Sequence, residues 1–152
     1  MKALETRVPP PAVALAVALA MYALARYGAA LPPTDYFRAV GVVLAAIGLL
    51  LIVTAFRAFS AKRTTINPLD VSAASSLVVS GPFRLTRNPM YLGMAAILVG
   101  LAFWLGGAAV WLGPAAFVGW ITRLQIIPEE RAMRAKFGAA YNDFCRRTRR
   151  WI

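Results

Sequence analysis

The chain has no histidine and a single cysteine, Cys145, among its 152 residues. The first absence removes the commonest metal ligand and the usual general base near neutral pH. The second rules out an intrachain disulfide. Together they leave an ordinary zinc site without ligands, and no metal is expected. Acids are also scarce: 6 Asp and Glu stand against 17 Lys and Arg, a net charge of +11. Charged residues make up only 15% of the chain and apolar ones 60%. Soluble domains usually hold about 25% and about 45–50% respectively, so a water-soluble globular class does not fit. A basic excess of this size raises nucleic acid as a partner. The charges sit beside apolar runs, however, where they serve anionic lipid head groups or an anionic ligand. Membrane lipids are the expected partners, and nucleic acid is not.

What is abundant is apolar sequence in long runs. Four stand out: Pro9 to Ala29, Tyr36 to Phe59, Met90 to Leu105 and Ala108 to Ile127. A membrane-spanning helix needs roughly 20 residues, with a range of about 17–25. The first, second and fourth runs meet that length, and the third does so by starting within Arg87–Pro89. No small-x-small cleavage site and polar mature domain follow the first run, which reads as a retained anchor. Pro32-Pro33 separates the first two runs. Gly106-Gly107 permits a tight reversal between the last two, because glycine reaches backbone angles closed to other residues. All but Arg26 and Arg38 of the 17 lysines and arginines fall on one side of this arrangement. That bias places both termini and the long loop in the cytoplasm, as in an inner-membrane protein.

The segment from Thr64 to Leu85 carries the turn and breaker signals Asn67-Pro68, Ser75-Ser76 and Gly81-Pro82. Within it Leu77-Val78-Val79 suits a short extended piece, and the whole is expected to cover the cytoplasmic end of the bundle. Beyond the fourth run, Pro128 suits the first turn of a new helix. Glu129 and Glu130 then fall where negative charge is favoured. Met133, Phe137, Tyr141, Phe144 and Thr148 recur at helical spacing on one face. An amphipathic helix, lying on the inner leaflet or folded back over the bundle, fits this pattern. The predicted fold is an all-α integral membrane protein of one domain. It has about four transmembrane helices, the last two a tight helical hairpin, and a C-terminal amphipathic cytoplasmic helix.

Two polar motifs interrupt the apolar sequence. Arg87-Asn88-Pro89-Met90-Tyr91-Leu92-Gly93 suits a membrane entry point, with an arginine at the boundary, a proline opening the helix and a tyrosine in the interfacial belt. It equally suits a ligand site, since a helix start offers unpaired N–H groups and arginine binds carboxylates. Gly93 would then let a flat group approach the helix. The pair Glu129-Glu130 suits either first-turn acids facing the helix dipole or recognition of a cation. Arg123, inside the fourth run about one turn before Pro128, is either a functional arginine at membrane depth or a snorkelling side chain.

The ordered set Gly81-Pro82-Phe83-Arg84, Arg87-Asn88-Pro89-Met90-Tyr91-Leu92-Gly93, Pro128-Glu129-Glu130, Phe137-Gly138, Tyr141 and Arg150-Trp151-Ile152 resembles the isoprenylcysteine carboxyl methyltransferase family. Membrane phospholipid methyltransferases share similar motifs. The likeness runs from about Leu77 to the end and implies one membrane methyltransferase domain over 1–152, with the cofactor-binding half at about 77–152. It implies S-adenosylmethionine as cofactor and a lipophilic substrate, whose acceptor group is a carboxylate, a thiol or an amine. By that resemblance Arg87, Pro89, Tyr91 and Gly93 help form the cofactor pocket, and Glu129 and Glu130 complete it. Asn88 stands where the family commonly has histidine, and keeps only hydrogen bonding. In the pocket so expected, Glu129 or Glu130 holds an amino group and Arg87 a carboxylate. Tyr91 supplies a hydrogen bond or stacking face, and Arg123 orients an anionic substrate head. Two other classes compete: a non-catalytic membrane scaffold or lipid-binding protein, and a membrane reductase with a related helical core, although no dinucleotide glycine fingerprint is present.

Overall fold

The computed structural model describes residues 5, 8–28, 33–61 and 76–152. Pro32 and the part of the long loop over 62–75 lie outside the described residues. Among the described residues, five α-helices carry the fold: α1 (Pro10–Tyr27), α2 (Asp35–Ala61), α3 (Pro89–Leu105), α4 (Leu112–Ile121) and α5 (Ile127–Arg147). Short 3-10 turns at Gly81–Arg84 and Ala109–Trp111 precede α3 and α4, and a π-helical segment, Thr122–Ile126, joins α4 to α5. No strand occurs among the described residues, only an isolated parallel bridge between Thr86 and Arg149.

Among the described residues, three helical stretches are long and apolar enough to cross a membrane: Pro10–Tyr27, Asp35–Ala61 and Ala109–Arg147. The 17 residues of α3 span about 26 Å at 1.5 Å per residue, just under the roughly 30 Å of a hydrocarbon core. The expected helical bundle is therefore present. Gly106 and Gly107 turn the chain between α3 and α4 with φ of 74° and 86°, the left-handed region that glycine enters without strain.

The closest interhelical contact is not within that hairpin but between α2 and α3. These two run antiparallel, and glycines spaced two turns apart on each helix face each other. A Cβ on Gly41 would lie 2.5 Å from the Gly100 carbonyl oxygen, and one on Gly48 would lie 2.5 Å from that of Gly93. The reciprocal distances at Gly93 and Gly100 are also 2.5 Å. Small residues let helix backbones meet where lipid offers no hydrophobic drive for association. Gly48→Leu is expected to force the helices apart and destabilise the protein by about 1–3 kcal/mol or more. Thermal unfolding in detergent measures this, and an unchanged Tm would contradict the close approach.

Two cores hold the bundle. One gathers Met21, Tyr91, Leu98, Val110, Phe117, Ile121 and Ile126 from α1, α3 and α4 with the π segment. The other gathers Ala55, Val78, Phe83, Tyr141 and Phe144, with Met133, Phe137 and Cys145 packed against it. The second core confirms the amphipathic face expected along α5. It also buries Val78, although Leu77–Val79 pair with no strand.

Pro128 falls in the first turn of α5, as expected, but no break precedes it, because the helical rod continues from Ala109 through the π segment into α5. A proline inside an α-helix clashes with the carbonyl four residues back and loses a hydrogen bond. The π segment relaxes this by lengthening the ladder: the Ile127 N–H reaches the Thr122 carbonyl, five residues earlier. The true break comes later, at Gly138, with φ 50° and ψ −120°. From Ala109 to Phe137 the rod measures about 43 Å, so its lower turns extend to or past the membrane boundary. Beyond Gly138 the chain doubles back, which brings the tail to the start of α3.

Candidate functional site

The site forms where three segments meet: residues 86–91 at the mouth of α3, the π segment with the first turn of α5, and the tail from Thr148. Pro89 opens α3 at a position where a missing N–H loses nothing, and it is fully buried. The preceding residues cannot continue the helix and run alongside the tail. The Arg87 N–H donates to the Arg149 carbonyl at 2.9 Å. The Thr86 hydroxyl and Asn88 Nδ2 both donate to the Arg150 carbonyl, at 3.0 and 2.9 Å. Trp151 Nε1 donates to Thr122 Oγ1 at 3.2 Å, which pins the tail to the π segment.

At the centre is Glu130, 3% exposed. Arg87 Nη2 donates to its Oε1 at 2.8 Å. Arg150 grips both oxygens, Nε to Oε1 at 3.0 Å and Nη2 to Oε2 at 2.8 Å. Arg134 reaches Oε2 from the surface at 3.4 Å. Bidentate, charge-assisted bonds of this kind are the strong ones. The bond to Glu130 raises the tendency of the Arg150 guanidinium to stay protonated. Arg87 is committed as fully: its Nη1 donates to the Thr148 carbonyl at 2.5 Å and to that of Cys145 at 3.4 Å. Only its buried Nε finds no acceptor among the described residues.

Beside this web lies a second polar pair. The Tyr91 hydroxyl donates to Glu129 Oε1 at 2.6 Å, while Glu129 Oε2 accepts from no group among the described residues. Gln125, from the π segment, is 3% exposed and flanks Tyr91. Its Nε2 makes no close hydrogen bond among the described residues.

The structure thus brings together Arg87, Asn88, Pro89, Tyr91, Glu129 and Glu130. It does not bring in the other two candidates. Arg123 is exposed on the outer side of the rod and makes no hydrogen bond or ion pair with the described residues. The reason is the π segment, whose Leu124, Gln125 and Ile126 are all buried, so that the residue before them turns outward. Its position, exposed and away from the Glu130 web, is that of a snorkelling side chain. Arg123→Gln is accordingly expected to change ligand affinity by no more than about twofold, as surface substitutions generally do; titration calorimetry checks it. Gly93 faces α2, and the space where a flat group would approach is filled by the Gly48 backbone. Its glycine serves helix packing. Conversely, Thr86, Gln125 and Arg150 were not among the sequence candidates. Arg150 carried a signal in the Arg-Trp-Ile ending, whereas Gln125 carried none, because its inward aim depends on the π segment.

Residues 36–140 match the family model described as phospholipid methyltransferase. No curated protein and no solved structure matches the chain.

Proposed function

The chain belongs to the phospholipid methyltransferase family, and we propose that it transfers a methyl group from S-adenosylmethionine to a lipophilic acceptor at the cytoplasmic membrane face. The observation that carries this reading is the half-satisfied Glu129–Tyr91 pair, held at the mouth of α3 by a fully satisfied Glu130 web.

The chemistry of these groups fits the cofactor. Glu129 keeps one oxygen for a cation, as an ammonium group requires, and Gln125 keeps a donor. Glu130 and Arg87 have little left to offer, since their polar atoms are spent on each other and on the tail. The division of labour therefore differs from the one expected from sequence: Glu129 binds, and Glu130 with Arg87 braces. Asn88 joins the brace through the tail carbonyl.

S-adenosylmethionine, when bound, supplies a methyl group already activated on a cationic sulfur, so the hard chemistry is the cofactor's own. What remains for the protein is alignment and exclusion of water. Tyr91 fixes the Glu129 carboxylate by its 2.6 Å bond. Trp151, packed against the first core, and the tail close the aqueous side. A carboxylate or thiolate acceptor needs no general base, which suits a chain without histidine; an amine acceptor must arrive neutral or give its proton to a base such as a glutamate. The ion pair of Glu5 with Arg131 sets the start of the chain beside α5. That supports termini on one side, and the basic bias assigns that side to the cytoplasm of an inner-membrane protein.

The test is calorimetric titration of the detergent-purified protein with S-adenosylhomocysteine, followed by incubation of membranes with radiolabelled methyl donor. Saturable binding and label in a lipophilic product are expected. Absence of binding, with a nicotinamide cofactor raising Tm instead, would replace the methyltransferase by a reductase.

A further inference from the structure

Gln125 has no place in the brace, and its buried amide carries more donor capacity than the fold uses. It is 3% exposed, and Nε2 makes no close hydrogen bond among the described residues. A buried donor left unpaired is destabilising, and an apolar residue of the same shape would avoid that. The π segment is what turns it inward, because three consecutive residues, Leu124 to Ile126, are buried there. Such bulges recur at functional sites. The amide leans toward the Tyr91 oxygen as a donor, the Tyr91 proton going to Glu129, and of its two N–H groups one is left for a ligand.

Gln125 and Glu129 lie one turn apart on one face, with Cβ atoms about 6 Å apart at such spacing. Their spare capacities are opposite. Gln125 Nε2 can only donate, so the ligand must present an acceptor there. Glu129 Oε2, when ionised, can only accept, so the ligand must present a donor there, preferably cationic. An α-amino-acid head carries both groups on one carbon. We propose that Gln125 and Glu129 form a zwitterion subsite, in which Gln125 binds the α-carboxylate and Glu129 the α-ammonium of the methyl donor's methionyl head. This rests on the methyltransferase reading. It takes the carboxylate from Arg87, whose terminal nitrogens serve Glu130 and the tail.

Titration of the wild type and Gln125→Leu with two ligands tests it: S-adenosylhomocysteine, which has the amino-acid head, and 5′-methylthioadenosine, which lacks it. Loss of a hydrogen bond to a charged group predicts roughly 10- to 100-fold weaker binding of the first and unchanged binding of the second. The ligand-free Tm of the variant should equal or exceed that of the wild type, which a merely structural glutamine would not allow. Gln125→Met, close to glutamine in length and shape, must show the same pattern if leucine packs poorly. Undiminished affinity for S-adenosylhomocysteine, or equal losses for both ligands, would overturn the subsite and leave the methyltransferase reading standing. Failure of the wild type to bind S-adenosylhomocysteine would overturn both.

Discussion

Glu130→Ala is expected to destabilise the protein by about 3–5 kcal/mol, the usual result of removing one partner from a buried ion pair. Arg87, only 11% exposed at its side chain, would keep its charge with no carboxylate beside it. Arg150 would lose both of its acceptors, and with them the anchor of the tail. Since whole domains are stable by only about 5–15 kcal/mol, this single change removes a large share. The loss belongs to the buried partners. Arg134 is 47% exposed at its side chain and 3.4 Å away, so Arg134→Ala should cost no more than about 1 kcal/mol. Thermal unfolding in detergent separates the two, and near-equal Tm values for them would refute the buried brace.

Glu129→Gln should behave in the opposite way. The amide keeps an acceptor for the Tyr91 hydroxyl, so the pair survives as a neutral hydrogen bond and the fold is little affected. What disappears is the negative charge offered to a ligand cation. Charged hydrogen bonds are worth about 1.5–3 kcal/mol, so affinity for S-adenosylhomocysteine should fall roughly 10- to 100-fold with Tm nearly constant. Adjacent acids on the first turn of α5 would then have separable duties, one in binding and one in stability. A Glu129→Gln protein that binds normally would end the assignment.

This division is a matter of geometry and could not be read from two neighbouring glutamates. That they meet the Arg87–Tyr91 segment was an expectation carried by the family resemblance of the ordered motifs, not by their spacing. The helices were legible for a simpler reason: long apolar runs bounded by Pro and Gly have few other structures in a membrane. The Gly106-Gly107 reversal was equally plain. The π segment was not. Thr122–Ile126 reads as ordinary apolar helix, yet its wider turn carries the rod through Pro128, turns Arg123 outward and Gln125 inward. The expectation for Arg123 shifts with that one local feature. Gly93 meets Gly48, which lies far off in sequence. The matching two-turn glycine spacing on both helices was the available signal. At Gly138 the motif was visible but its backbone reversal was not, and only that reversal explains how Arg150 reaches Glu130.

The most direct measurement is an experimental structure with S-adenosylhomocysteine bound. The account requires the ligand's ammonium within hydrogen-bond distance of Glu129, with Glu130 still gripped by Arg87 and Arg150. A ligand carboxylate seated on Arg87, with the Arg87–Glu130 pair opened to admit it, would contradict it.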